Sequence, residues 1–314
     1  MSTDPESRLN YGPFVPNLGA VCPATGKEII FDNVDSLREA LEAHGQDTAA
    51  FIVEPIQGEA GIVVPADDYL PQVKALCEKH NVLFICDEIQ TGIARTGRLL
   101  CYEYSGIKPD MVLLGKAISG GMYPVSCVLA SKDIMLTVEP GTHGSTYGGN
   151  PLGSAVAIRA LELIEEEKLV VKAVLAGEVF RKWLGEIDSP VIKLVRGKGL
   201  LNAIVIDETK TNGHSAWDLC LLLKAKGLLV RITLNKFPNI YVLMRELTRF
   251  ATQAKPTHQT IIRLAPPLVV RKEELRKAVD IIKEAVHEIS SLSGKKADDV
   301  IPLEERNVSI GVDS

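Results

Sequence analysis

Two apolar runs of this sequence each end on a charged residue that could do chemistry. In Met111-Val-Leu-Leu-Gly-Lys-Ala-Ile-Ser-Gly-Gly121, Lys116 follows the apolar residues and glycines come directly after it. In Val82-Leu-Phe-Ile-Cys-Asp-Glu-Ile-Gln-Thr-Gly92, Asp87 holds the matching place. Read as neighbouring strands, the runs deliver an amine and a carboxylate to the carboxyl edge of a parallel sheet, where open α/β sheets bind ligands. An amine that can form a Schiff base, beside a carboxylate that can keep a pyridine nitrogen protonated, points to pyridoxal phosphate. Taken singly, a strand-end lysine is an ordinary solvated charge and a strand-end aspartate an ordinary helix cap. Their joint occurrence favours the cofactor.

Other residues acquire meaning from that pair. Gly141-Thr-His-Gly-Ser-Thr-Tyr-Gly-Gly-Asn-Pro151 offers glycine backbone and hydroxyl donors to an anion, with Asn150 and Pro151 opening a helix behind them. A phosphate fits there, and so does a plain glycine turn; His143 reads as a loop histidine. Arg263 lies inside Thr260-Ile-Ile-Arg-Leu-Ala-Pro-Pro-Leu268, and an arginine so placed needs an anionic partner, either a structural carboxylate or the carboxylate of a substrate. Glu59, in Ile56-Gln-Gly-Glu-Ala-Gly-Ile62, is a loop charge that context alone can raise above a solvated one.

The elements needed to hold these residues follow from periodicity. Ser36 with Glu39 spells a capping box ahead of a short helix, and Phe51–Pro55 reads as a strand. Leu70, Val73, Leu76 and Cys77 recur at helical spacing before the Asp87 strand. Pro124–Ala130 gives a further strand, and a long helix runs from Leu152 to about Leu169. Strands alternating with helices predict an α/β fold whose mostly parallel sheet is covered by helices. Near Leu184–Pro190 the pattern changes to strand, helix, strand. Gly199–Ile206 is its first clear strand, Ser215–Ala225 a helix, and Leu275, Val279, Ile282, Val286 and Ile289 line one face of the last helix. The expected organisation is a partial large domain over 1–186, a small C-terminal α+β domain over 187–293, and a loose polar tail over 294–314. Residues 1–32, rich in proline and glycine, read as irregular chain.

Composition narrows the class. At 314 residues the chain fits two domains, and 46% hydrophobic with 24% charged residues is the balance of a soluble globular protein. A formal net charge of -5 and the lack of a basic stripe argue against nucleic acid as a partner. The six cysteines show no Cys-x-x-Cys spacing, so buried thiols in a reducing compartment are expected rather than bridges or a metal site. No apolar run is long enough to span a bilayer, and the polar start resembles neither a signal nor a transit peptide.

With these residues in hand, the chain resembles the class-III aminotransferases of fold type I, in particular the branch acting on ornithine. The similarity runs from Asn10 to about Ile289 and rests on Val53–Gly61, Cys86–Gly92, Leu113–Gly121, His143–Pro151, Arg196-Gly-Lys-Gly-Leu-Leu-Asn202 and Lys255-Pro-Thr-His258. It implies pyridoxal 5'-phosphate as cofactor. Lys116 then bonds its aldehyde and shuttles the proton, Asp87 holds the pyridine nitrogen protonated, and Gln90 touches the phenolic oxygen. Ser145 and Thr146 reach the phosphate of a neighbouring subunit's cofactor, which implies a homodimer or larger homo-oligomer. Arg263 clamps the α-carboxylate of 2-oxoglutarate, while Glu59 pairs with Arg263 when ornithine is bound through its δ-amine. The implied products are glutamate and glutamate 5-semialdehyde, which cyclises to pyrroline-5-carboxylate and feeds proline and arginine metabolism. N-acetylornithine and 4-aminobutyrate remain alternative donors, and a catalytically inactive fragment is the alternative of a different class. The expected compartment is the cytoplasm, with the mitochondrial matrix as the alternative. The resemblance also implies a further N-terminal part not found here, carrying a phosphate loop and a ring-stacking aromatic. The run Val230–Gln253 interrupts the family's continuity and reads as a retained intron, because valine codons begin with GT and glutamine can be CAG.

Overall fold

In the computed structural model, which describes residues 20–228, 256–257 and 260–292, Asn33 opens the first helix, α1 (Val34–His44). Its side chain accepts the Ser36 N–H at 3.1 Å. The expected capping box at Ser36 and Glu39 is therefore displaced by three residues. Asn33 and Ser36 are both cap formers, and the one with extended backbone (φ -130°, ψ 95°) takes the orphan N–H. Ser36 instead accepts from Ile30 N–H at 2.9 Å, and Glu39 pairs with Lys27.

Strand β1 (Ala50–Val53), helix α2 (Tyr69–Lys79) and strands β2 (Leu83–Asp87), β3 (Met111–Leu114) and β4 (Cys127–Ala130) follow. They form one sheet in the order β1-β2-β3-β4, parallel except for β4, which runs antiparallel to β3. The short helix α3 (Lys132–Met135) and the long α4 (Pro151–Glu166) come after it. Helices α1 and α2 bury one sheet face: Leu37, Leu41, Leu70 and Val73 pack with Phe84 and Cys86 of β2. The alternate β2 residues Leu83, Ile85 and Asp87 are half-buried, so the second face is less covered among the described residues. Lys74 reaches both oxygens of Asp110 at 3.1 Å while Asp110 also accepts Phe84 N–H at 2.7 Å, which ties α2 and β2 to the turn before β3.

Helix α5 (Leu169–Gly185) leads into β5 (Ile192–Lys198), β6 (Leu201–Ile206), helix α6 (Ala216–Ala225), β7 (Pro256–Thr257), β8 (Ile261–Leu264) and helix α7 (Lys272–Ser291). Their sheet is wholly antiparallel, in the order β5-β6-β8-β7. Its core joins Phe180, Ile204, Leu219, Ile262, Ile282 and Val286. Strand β6 is buried on both faces, and its apolar run is broken only by the buried Asn202. β5 lies at the sheet edge and carries Lys193, Arg196 and Lys198, which hid it from the periodicity.

The chain divides into two compact units, Met1–Ile56 with Val64–Val170, and Gln57–Val63 with Val171–Ser314. The run Val230–Gln253, the tail 294–314, residues 1–19, Lys255 and His258 lie outside the described residues. Among the described residues no helix is long and apolar enough to cross a membrane.

Candidate active site

Asp87 is the last residue of β2, and it stands in register with Leu113 of the parallel neighbour β3. Glu88 N–H continues the pairing by donating to Leu113 O at 3.0 Å. Lys116 follows the end of β3 by two residues, so Asp87 and Lys116 leave the sheet at the same carboxyl edge, as the two apolar runs predict. The Asp87 carboxylate accepts Ile89 N–H at 3.0 Å, which fixes one of its oxygens. Lys116 is exposed and begins a 3₁₀ turn, Lys116–Ser119, with its own backbone left-handed at φ 42°. A side-chain-bearing residue held there stores on the order of 1 to 3 kcal/mol, and such strain gathers at functional positions. An exposed primary amine and a half-buried carboxylate leaving adjacent strands at one edge are the donor set that pyridoxal phosphate requires.

Gln90 is half-buried in the turn just past Asp87. Ser145 and Thr146 are exposed on the 141–149 segment that leads into α4, not at the strand ends. Ser145 Oγ accepts Gly148 N–H at 2.9 Å, and Asn150 caps α4 by accepting Gly153 N–H at 2.8 Å, with Pro151 first in the helix. His143 is an exposed loop residue, as expected.

Glu88, which the sequence reading left without a role, is buried beside Asp87. It accepts Tyr102 N–H at 2.8 Å and the Thr91 hydroxyl. Burial pushes its pKa above the ordinary carboxylate value, against those hydrogen bonds. Its signal was available: a second carboxylate directly after the strand-end one, inside the same apolar run. Arg95, in the loop that follows, is pushed down to about 10 by burial.

In the second unit, Arg263 Nη1 donates to Glu59 Oε1 at 2.9 Å, with the Arg263 side chain 15% exposed and that of Glu59 42%. The family resemblance implies this pairing. Glu59 sits on a tight hairpin closed by mutual backbone hydrogen bonds between Gln57 and Val63 at 3.0 and 3.1 Å. Gly61 turns the hairpin at φ 103°, and a Cβ there would come within 2.5 Å of Ile261 Cδ1. The Gly61 carbonyl accepts Arg196 Nε at 3.1 Å and Nη2 at 2.7 Å. Arg196 is half-buried on β5, and burial lowers its pKa. An ion pair with one partner this exposed is worth about 0 to 1 kcal/mol.

The sequence pattern of the Aminotransferase class-III family matches residues 2–248. The chain belongs to the class-III aminotransferases. Its fold is that of fold type I, a mixed, mostly parallel sheet with helices plus a smaller antiparallel region. This class-III aminotransferase is similar to the ornithine aminotransferase of Emericella nidulans, at 62% identity over 314 residues, covering all of this chain and 64% of that protein. It is also similar to the solved ornithine aminotransferase of Toxoplasma gondii, with a TM-score of 0.74 and 40% identity over 90% of this chain and 58% of the other. The acetylornithine aminotransferase of Elizabethkingia anophelis aligns with a TM-score of 0.70 and 46% identity, over 82% of this chain and 61% of that one. The chain thus spans somewhat less than two thirds of the length of the relatives it matches.

Proposed function

We propose that this class-III aminotransferase moves the δ-amino group of ornithine to 2-oxoglutarate, giving glutamate 5-semialdehyde and glutamate, with pyridoxal phosphate as cofactor. The observation that carries the choice of substrate is the 2.9 Å Glu59–Arg263 pair, an anion site that closes itself when no second carboxylate claims it. The cofactor assignment is supported by the Asp87 and Lys116 strand ends and by the Toxoplasma gondii relative, described as holding PLP at partial occupancy. When bound, pyridoxal phosphate supplies an aldehyde that captures an amine and a ring that takes up the electron pair released when a C–H bond breaks.

The chain's own residues do the rest. Lys116 Nζ would hold the cofactor, and with an amine substrate bound it would remove the proton from the carbon bearing that amine. Asp87 keeps a proton on the pyridine nitrogen by placing a carboxylate against it. Gln90 hydrogen-bonds the phenolic oxygen, and Ser145 and Thr146 hold the phosphate bound by a second copy. Arg263 takes the α-carboxylate of 2-oxoglutarate through a two-pronged pair. With ornithine, Glu59 would stay on Arg263, so the α-carboxylate is refused there and ornithine reacts through its δ-amine. The second copy is supported by Leu152 and Ile158 on α4, 60% and 59% exposed and in need of cover. Five of the six cysteines are buried, which supports a reducing compartment such as the cytoplasm.

The test is turnover of the full chain supplied with pyridoxal phosphate, 2-oxoglutarate and each of ornithine, N-acetylornithine and 4-aminobutyrate. Ornithine is expected as the preferred donor, with pyrroline-5-carboxylate accumulating. Preference for N-acetylornithine would move the reading to the Elizabethkingia-like activity, and no turnover with any donor would make the chain an inactive fragment.

A further inference from the structure

Residues directly opposite one another on antiparallel strands share a sheet face. Arg196 of β5 stands opposite Ala203 of β6, and Ala203 stands opposite Arg263 of β8. The two arginines therefore rise from one row across three strands, about 10 Å apart at their roots, with a fully buried methyl group between them. Both reach the same hairpin. Arg263 takes the Glu59 carboxylate, and Arg196 forks onto the Gly61 carbonyl through two N–H groups.

We propose that Arg196 is a positioning residue for the Glu59–Arg263 pair: it pins the hairpin backbone, so that exchange between the ion pair and a bound carboxylate is a movement of the Glu59 side chain alone. The proposal rests on the reading of Arg263 as carboxylate anchor and Glu59 as its competitor. The backbone of Gln57–Val63 is fixed at its base by the Gln57–Val63 bridge and inside the turn by Gly61 and Ile62 N–H groups, which both donate to Gly58 O at 3.1 and 3.3 Å. Arg196 fixes the Gly61 carbonyl. Ile261 packs against the other side, its Cδ1 2.5 Å from where a Gly61 Cβ would stand. Glu59 is left 42% exposed, with solvent to swing into.

The experiment titrates 2-oxoglutarate into the full chain, loaded with pyridoxal phosphate, and follows binding by calorimetry. Glu59→Ala is expected to tighten binding about twofold to fivefold, the range of a partly exposed ion pair. Arg196→Met is expected to tighten it in the same direction, because a loosened hairpin presents Glu59 less often, and the double variant should match Glu59→Ala alone. A purely structural arginine would weaken binding or add independently to Glu59→Ala, and either result overturns the proposal. Arg196→Lys, which keeps the charge and loses the fork, covers the case of a variant that does not fold. It should bind with intermediate affinity and exchange the Gly61 and Ile62 amide hydrogens faster, and unchanged exchange also overturns the proposal. If Glu59→Ala itself fails to tighten binding, the reading of the anion site is what falls, and the positioning role falls with it.

Discussion

Lys116 and Asp87 make the sharpest residue-scale prediction. Borohydride reduction of the chain with pyridoxal phosphate should fix the label on Lys116 and nowhere in Lys116→Ala, as peptide mass spectrometry reads directly. Asp87→Asn should keep some cofactor and lose most turnover, since an unprotonated pyridine is a poor electron sink. Arg263→Ala should slow the 2-oxoglutarate half-reaction roughly tenfold or more and the ornithine half-reaction far less, given about 1.5 to 3 kcal/mol for each charge-assisted hydrogen bond. Equal losses in the two single-turnover half-reactions would contradict that role. Glu88 supplies a pH dependence. Its folded pKa is raised by burial, so the native state holds the proton longer than the unfolded chain does. Stability therefore falls as pH rises from the ordinary glutamate value of about 4.3 through the raised one. Glu88→Gln can still accept Tyr102 N–H and donate to Thr91, so it should flatten that slope relative to the parent chain in urea titrations across the window.

At the scale of elements, caps and turns carry measurable stability. Asn150→Ala removes the bond that opens α4 and should cost about 1 kcal/mol, read as a lower urea midpoint at unchanged slope. The elements that sequence revealed are those with one dominant signal: α2 and α7 by their apolar stripe, β2, β3 and β6 by apolar runs, α4 by Asn150 and Pro151. Those it concealed had competing signals. β5 is an edge strand whose lysines and arginine break the apolar pattern, and Arg196 was concealed with it. Asn33 and Ser36 are equally good cap residues, and only backbone conformation separates them. The Glu59–Arg263 pair spans 204 positions, so no local pattern encodes it; it became legible through the family resemblance.

On the whole-molecule scale, Leu152 and Ile158 on α4 and Val128 and Leu129 on β4 leave apolar surface exposed. Leu152→Gln with Ile158→Gln should lower self-association in sedimentation runs if α4 meets a second copy, and leave it unchanged otherwise. The interrupted continuity at Val230–Gln253 predicts that some transcripts lack that run; sequencing that finds it always retained would make it a genuine insertion. The left-handed backbone of Lys116 sets two selections on this chain against each other. Asparagine tolerates that conformation better than lysine, so Lys116→Asn should unfold at a higher temperature than the parent while being unable to hold the cofactor. A screen that ranks variants by abundance would reward the loss of the amine on which the proposed chemistry depends, and only a screen for turnover would preserve it.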